Sequence, residues 1–381
     1  MRTCRSSCRR QGRASLRRSR PWQRQCPPRK EDASTMAGMA AGTTSKGGAL
    51  DQRAAIRFGG AWPVLVAAAL ALLVVSALTL KLGAVELSWA EVANGLTSED
   101  DALARNIVWQ IRLPRLVDAM LVGASLAIAG ALLQGVTRNP LADPTILGVT
   151  AAAGLASAAV IVWDPQVPQW GIAAACAAGG LGGAGVLYVI AYRGAVSPVR
   201  LALAGVALSA FFGAAIVGLL SSSRTFLQTS LGFLAGGLYG SEWRDFRAML
   251  PYFVPGVAGA VLLSGRLNVL ALGDDVAAGL GVLTDRTRLA ILAVVGLLTA
   301  AAVATAGLVS FVGLVCPHLA RYTVGGDNRL LIPVSALYGA LLVSLADLVA
   351  KLVISPSEVP MGIITAGVGA PFLLYLVRFR E

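Results

Sequence analysis

Residues 138–149 read RNPLADPTILGV, a polar and proline-broken stretch lying between apolar runs at 116–134 and 145–162. How such a segment can exist there decides the fold. In hydrocarbon every backbone amide needs a partner, so this break is tolerable only at an interface, packed against protein, or along a water-filled path. Pro140 and Pro144 stop regular helix. Asn139 offers both donor and acceptor, while Arg138 and Asp143 bring charge to the membrane boundary. A plain loop accounts for the prolines, but not for the whole run.

Outward from this break the chain is overwhelmingly apolar. Of its 381 residues 56% are hydrophobic and 14% charged, with 43 glycines, which excludes an ordinary soluble domain. A crossing helix needs about 20 apolar residues. Ten runs qualify: 63–80, 116–134, 145–162, 171–191, 200–220, 249–264, 289–306, 308–324, 330–349 and 360–377. The fold class is therefore an all-α polytopic membrane protein of about ten transmembrane helices. Glycine and alanine dominate the spans, as in GLGGAGVLYVIAY, and small residues let helix backbones approach closely in lipid.

Residues 1–57 hold 14 Lys or Arg against Glu31, Asp32 and Asp51, so this tail carries nearly all of the formal net charge of +12. It has no apolar core and is not a secretory signal. Three readings stay open: a cytoplasmic flank that orients the first helix, a contact with anionic membrane lipid, or an upstream mis-start with translation beginning at Met36 or Met39. Nucleic-acid binding is not expected, because the remaining residues 58–381, the transmembrane domain, are close to neutral. Arginines at the even-numbered junctions (Arg138, Arg193, Arg200, Arg266, Arg286, Arg288, Arg321, Arg329) and at the C-terminus place both termini in the cytoplasm. The bias is slight outside the tail.

An echo appears on shifting the chain by 177 residues, AIAGALLQGVTRNP (127–140) over ATAGLVSFVGLVCP (304–317). It suggests an inverted repeat of the kind transporters use.

Three blocks carry a resemblance. RLPRLVDAMLVGASLAIAGALLQGVTRNPLADPTILGV (112–149), GLVSFVGLVCPHLARYTVGGDNRLLIPVSALYGA (307–340) and ADLVAK with EVPMGIITAGVGAPFLLYL (346–376) resemble the signature segments of the FecCD family. These are permease subunits of ABC importers for ferric siderophores, haem and cobalamin. The resemblance implies a type II ABC importer permease fold, dimerised around one path. The implied partners are a second permease subunit, two ABC ATPase subunits and an extracytoplasmic substrate-binding protein. Asn139, Pro140 and Leu141 would line the cytoplasmic gate. Leu272, Gly273, Asp274, Asp275, Ala277 and Gly279 would form the coupling helix that docks on the ATPase. Arg112, Arg115 and Lys351 would be basic docking points for the binding protein, although snorkelling cations at helix ends are the ordinary alternative.

The chain is expected to bind no cofactor, ATP and Mg staying on the partner ATPase. Its lysines (Lys30, Lys46, Lys81, Lys351) sit in no G-x-x-x-x-G-K-[ST] motif, so the ATPase must be another chain. His318, the one histidine, lies two residues from Cys316, with no soft ligands clustered nearby, so packing is expected rather than a metal site. Asp118 and Asp347, near helix ends, are expected to cap or pair. A proton-driven transporter using these two acids, and an intramembrane enzyme using His318 and Asp347, remain as rivals. The cargo expected first is a ferric siderophore, with haem or cobalamin as alternatives.

Overall fold

The computed structural model describes residues 46–83, 85–97, 102–221, 232–354 and 357–379. Tail residues 1–45, with the alternative starts Met36 and Met39, lie outside them. The helices in chain order are α1 Lys46–Lys81, α2 Trp89–Thr97, α3 Ala102–Asn106, α4 Leu113–Thr137, α5 Val149–Trp163, α6 Gln169–Ala191, α7 Pro198–Ser221, α8 Trp243–Ala271, α9 Asp274–Gly279, α10 Thr284–Ala306, α11 Val312–Val324, α12 Asn328–Leu352 and α13 Met361–Phe379. The expected tail boundary at residue 57 falls inside α1 rather than between elements. Ala55–Glu381 forms one compact unit.

Ten of these helices match the ten expected spans, yet they are not alike. Among the described residues seven helical stretches are long and apolar enough to cross a membrane, α5 and α13 are shorter apolar helices, and α11 has only 13 residues. At 1.5 Å per residue α11 covers roughly 20 Å, well short of a bilayer core of about 30 Å. The expected spans 145–162 and 308–324 began too early, because turns occupy 138–148 and 307–311. Gly148 closes the first break at φ 78°, and Gly307 and Phe311 bound the second at φ 68° and 70°. The span expected at 249–264 is instead the 29-residue α8. Asp245 and Arg266 had trimmed its apolar window, and its prolines, Pro251 and Pro255, do not end it.

Between α3 and α4 the helix runs on through a π-helical turn, Ile107–Arg112. Pro114 explains it: without an N–H, proline cannot bond back to the carbonyl of Gln110, and the turn widens.

Helix α4 is the buried centre of the bundle, with α12, α10, α8 and α11 packed on it. Glycine makes this possible. A Cβ on Gly123 would stand 2.1 Å from the Gly339 carbonyl oxygen, and one on Gly130 would stand 1.9 Å from that of Gly313. Backbone meets backbone at these crossings, the packing mode expected in lipid.

A short helix recurs as the second of four in two successive sets, α4 to α7 and then α10 to α13. The two sets run in opposite directions where they meet, since the end of α4 (Arg138) and the start of α10 (Arg288) both bond Asp274. The 177-residue echo does not give the register of this repeat. It lays the unbroken helix 127–137 over the break after Ala306, whereas the helix ends Thr137 and Ala306 correspond, about two helical turns away.

Candidate functional site: a tight turn at one end, a charge cluster at the other

The opening stretch begins where α4 ends. Arg138 caps that helix in the left-handed region, and its backbone N–H donates to the carbonyls of Gln134 and Gly135. The Asn139 N–H donates to the Gln134 carbonyl at 3.2 Å. The Asn139 carboxamide oxygen accepts the Leu141 N–H at 2.9 Å, an Asx-type turn that the proline between them permits. Asn139 is half-buried, while Pro140 and Leu141 are exposed. The three gate residues named from the sequence thus share one tight turn.

Asp143 departs from expectation. It is not a boundary charge but a buried side chain, accepting backbone N–H groups from Thr145, Ile146 and Leu314. The last of these belongs to the first turn of α11, so one carboxylate fastens the break after α4 onto the start of the short helix. Gln134, missed from sequence, repeats the tie one layer away: its amide donates to the carbonyls of Gly313 and Leu314 at 3.3 Å each and its oxygen accepts Arg321 Nη2 at 3.3 Å. A glutamine inside AGALLQGVT was the available signal, since a polar group among apolar neighbours needs internal partners.

At the same end lies α9. Gly273 precedes it with φ 117°, a backbone state favouring glycine. Ala277 is buried, while Asp275 and Gly279 are exposed. Leu272, Val276, Leu280 and Leu283 are also exposed, at 64, 49, 63 and 61%, an apolar surface around a six-residue helix of the type that marks a protein contact. Asp274 faces inward to Arg288, whose Nη2 donates to it at 2.7 Å, and to Arg138. Partial burial works to raise the Asp274 carboxyl, but the two guanidinium groups hold it below the usual carboxylate range. Arg288, read from the sequence only as a junction cation, is buried and also bonds the Val196 carbonyl at 2.7 Å.

The opposite end, where α4 begins, holds Arg112, Arg115 and Lys351. These are the three cations expected as docking points, and each is bonded within the chain. Arg112 is buried and donates to the carbonyls of Leu80, Lys81 and Val85. Arg115 makes a forked pair with Asp347 at 2.8 to 3.1 Å and reaches Glu358 at 2.8 Å. Lys351 Nζ lies 2.8 Å from Asp347. Helix-end position is legible in sequence, but carboxylates brought from 230 residues away are not. A cavity of about 590 Å³ opens beside this cluster, with Arg115, Asp347 and Glu358 on its wall.

Asp347 is thus paired, as expected. Asp118 is fully buried, and neither of its oxygens has a hydrogen-bond partner among the described residues. His318 Nε2 lies 2.9 Å from the Tyr322 hydroxyl and its ring packs edge-on against Phe372. Among the described residues no group of three His, Cys, Asp or Glu is placed to hold a metal ion.

Comparison with known proteins resolves what this helical arrangement is. Residues 70–379 match the FecCD transport family. The chain belongs to that family. FecCD relatives include the cobalamin import system permease protein BtuC of Halobacterium salinarum, 46% identical over 73% of this chain and 75% of the relative. Another is the Fe(3+)-citrate import system permease protein YfmD of Bacillus subtilis, 40% identical over 79% and 90%. A solved inward-facing structure, described as of the metal-chelate ABC transporter type, superposes with a TM-score of 0.73 at 31% identity, covering 83% of this chain and 98% of the other. This FecCD chain is a multi-pass membrane protein and an ABC importer permease.

Proposed function

We propose that this permease carries a ferric siderophore or similar iron chelate across the cytoplasmic membrane, moving the complex whole. Both termini would face the cytoplasm. The observation carrying this reading is that relatives matched over three quarters or more of their own length are named as import permeases for iron chelates and for cobalamin. Cobalamin is the second reading, favoured by the 46% identity to a cobalamin permease.

In this reading two permease subunits enclose the path, each seated on an ABC ATPase that binds ATP and Mg. The apolar surface of Leu272, Val276 and Leu280 is the seat for the ATPase, and Asn139, Pro140 and Leu141 form the cytoplasmic gate. A binding protein delivers cargo at the Arg115 end. Because Asp347 and Glu358 already occupy Arg115 and Lys351, an incoming carboxylate has to compete with them, and Arg112, committed to backbone carbonyls, shapes that rim.

The test is uptake of radio-iron presented as ferric citrate and as ferric hydroxamates, beside labelled cobalamin and haem, in cells with and without the gene. Gene-dependent accumulation of an iron chelate alone supports the first reading, and of cobalamin alone the second. Uptake of none of them removes the cargo assignment.

A further inference from the structure

We propose that Arg138 is a positioning residue that transmits movement of α9 to the gate loop, an inference that rests on the importer reading above. Its guanidinium holds both sides of a joint. Nε and Nη2 donate to the Leu270 carbonyl at 3.0 and 2.7 Å, and Nη2 also donates to the Asp274 carboxylate. Leu270 is in the last turn of α8, whereas Asp274 is the first residue of α9. Between them is Gly273 at φ 117°, where an added Cβ would meet nothing within 4 Å. Gly273 itself is thus uncrowded, while α9 is held by its buried Ala277, by Arg288 through Asp274, and by Arg138, the one of the three that also adjoins the gate turn. Movement about this joint either breaks the bond to Asp274 or draws Arg138 along.

What Arg138 draws with it is the gate. It stands in the left-handed region at φ 51° and ψ 33°, a state few L residues occupy without local support. The next residue, Asn139, holds the Leu141 N–H through its side chain. A change in the Arg138 backbone thus arrives at all three gate residues without passing through another element. Asp274 is shared between a buried partner and an exposed one: the Arg288 side chain is 2% accessible and that of Arg138 33%. An ion pair as exposed as Arg138 with Asp274 adds little to stability. Its geometry, spanning the joint and adjoining the gate, assigns it to coupling.

The assembled transporter, permease with its ATPases and binding protein in proteoliposomes, provides the test, with labelled ferric citrate and labelled cobalamin as probes. The quantity read is cargo moved per ATP hydrolysed. Arg138→Gln is expected to lower that ratio roughly tenfold, within the ordinary span of coupling between sites, while ATP hydrolysis persists. Asp274→Asn lowers it likewise, the double variant is no worse than the lower single one, and Arg138→Lys recovers part of the loss. An unchanged ratio in Arg138→Gln overturns the proposal, whether because transport is intact or because transport and hydrolysis fall together, and so do losses that add in the double variant. A wild-type complex that hydrolyses ATP and moves neither probe brings down the importer reading itself, and this proposal with it.

Discussion

At the scale of single residues, the energetics concentrate in two charge groups at opposite ends of α4. Arg115 is nearly buried among Asp347, Glu358 and Lys351, and breaking a buried pair strands a charge. Arg115→Gln is therefore expected to cost about 3–5 kcal/mol, read as a lower unfolding midpoint of the purified protein, whereas a loss of under about 1 kcal/mol would place the cluster in water. Charge reversal at Arg115 consequently tests folding before it tests docking. Asp274 behaves differently. Its folded-state carboxyl lies below the ordinary range, so its stabilisation is complete above the unfolded-state value of about 3.9 and disappears as pH falls through the folded-state value. The gap in unfolding midpoint between wild type and Asp274→Asn should stay constant above about pH 4 and close in stronger acid. A gap that instead widened in acid would mean that the two arginines do not stabilise the ionised form.

At the scale of elements, the close backbone crossings of α4 set what the helices tolerate. Gly130 abuts the Gly313 carbonyl, which cannot yield as a flexible side chain would, while a Cβ on Gly182 meets nothing within 4 Å. Gly130→Ala should destabilise by about 1–3 kcal/mol, and Gly182→Ala should stay within about 0.5 kcal/mol. Equal effects would show that the crossing is looser than described. Helix α9 offers an independent check: Val276→Glu with Leu280→Glu should abolish co-purification of the ATPase and leave membrane insertion unchanged. Retained co-purification would move the ATPase seat elsewhere. These elements also show what the sequence made legible. The helices followed from apolar length, and the gate turn and α9 from their prolines, glycines and paired acids. The breaks at 138–148 and 307–311 were blurred because apolar residues such as Ile146 and Leu308 continue the hydropathy through them. The ties from Gln134 and Asp143 to α11 bring together residues about 170–180 positions apart, beyond the reach of local pattern.

At the scale of the whole molecule, the described residues combine seven stretches long enough to span a membrane with shorter helices, of which α5 and α11 each follow a break in the chain. Rigid packing around α4 and a jointed α9 at one end suit a path opened by a motor outside the membrane, since this chain's lysines lie in no nucleotide-binding loop. The measurement that bears most directly on this account is uptake of labelled iron chelate and cobalamin into proteoliposomes holding the full complex, run with active ATPases and with ATPases unable to hydrolyse ATP. The account predicts accumulation of one of these cargoes with the active enzyme and none with the inactive one. Accumulation that proceeds equally with both, and follows a proton gradient, would contradict it.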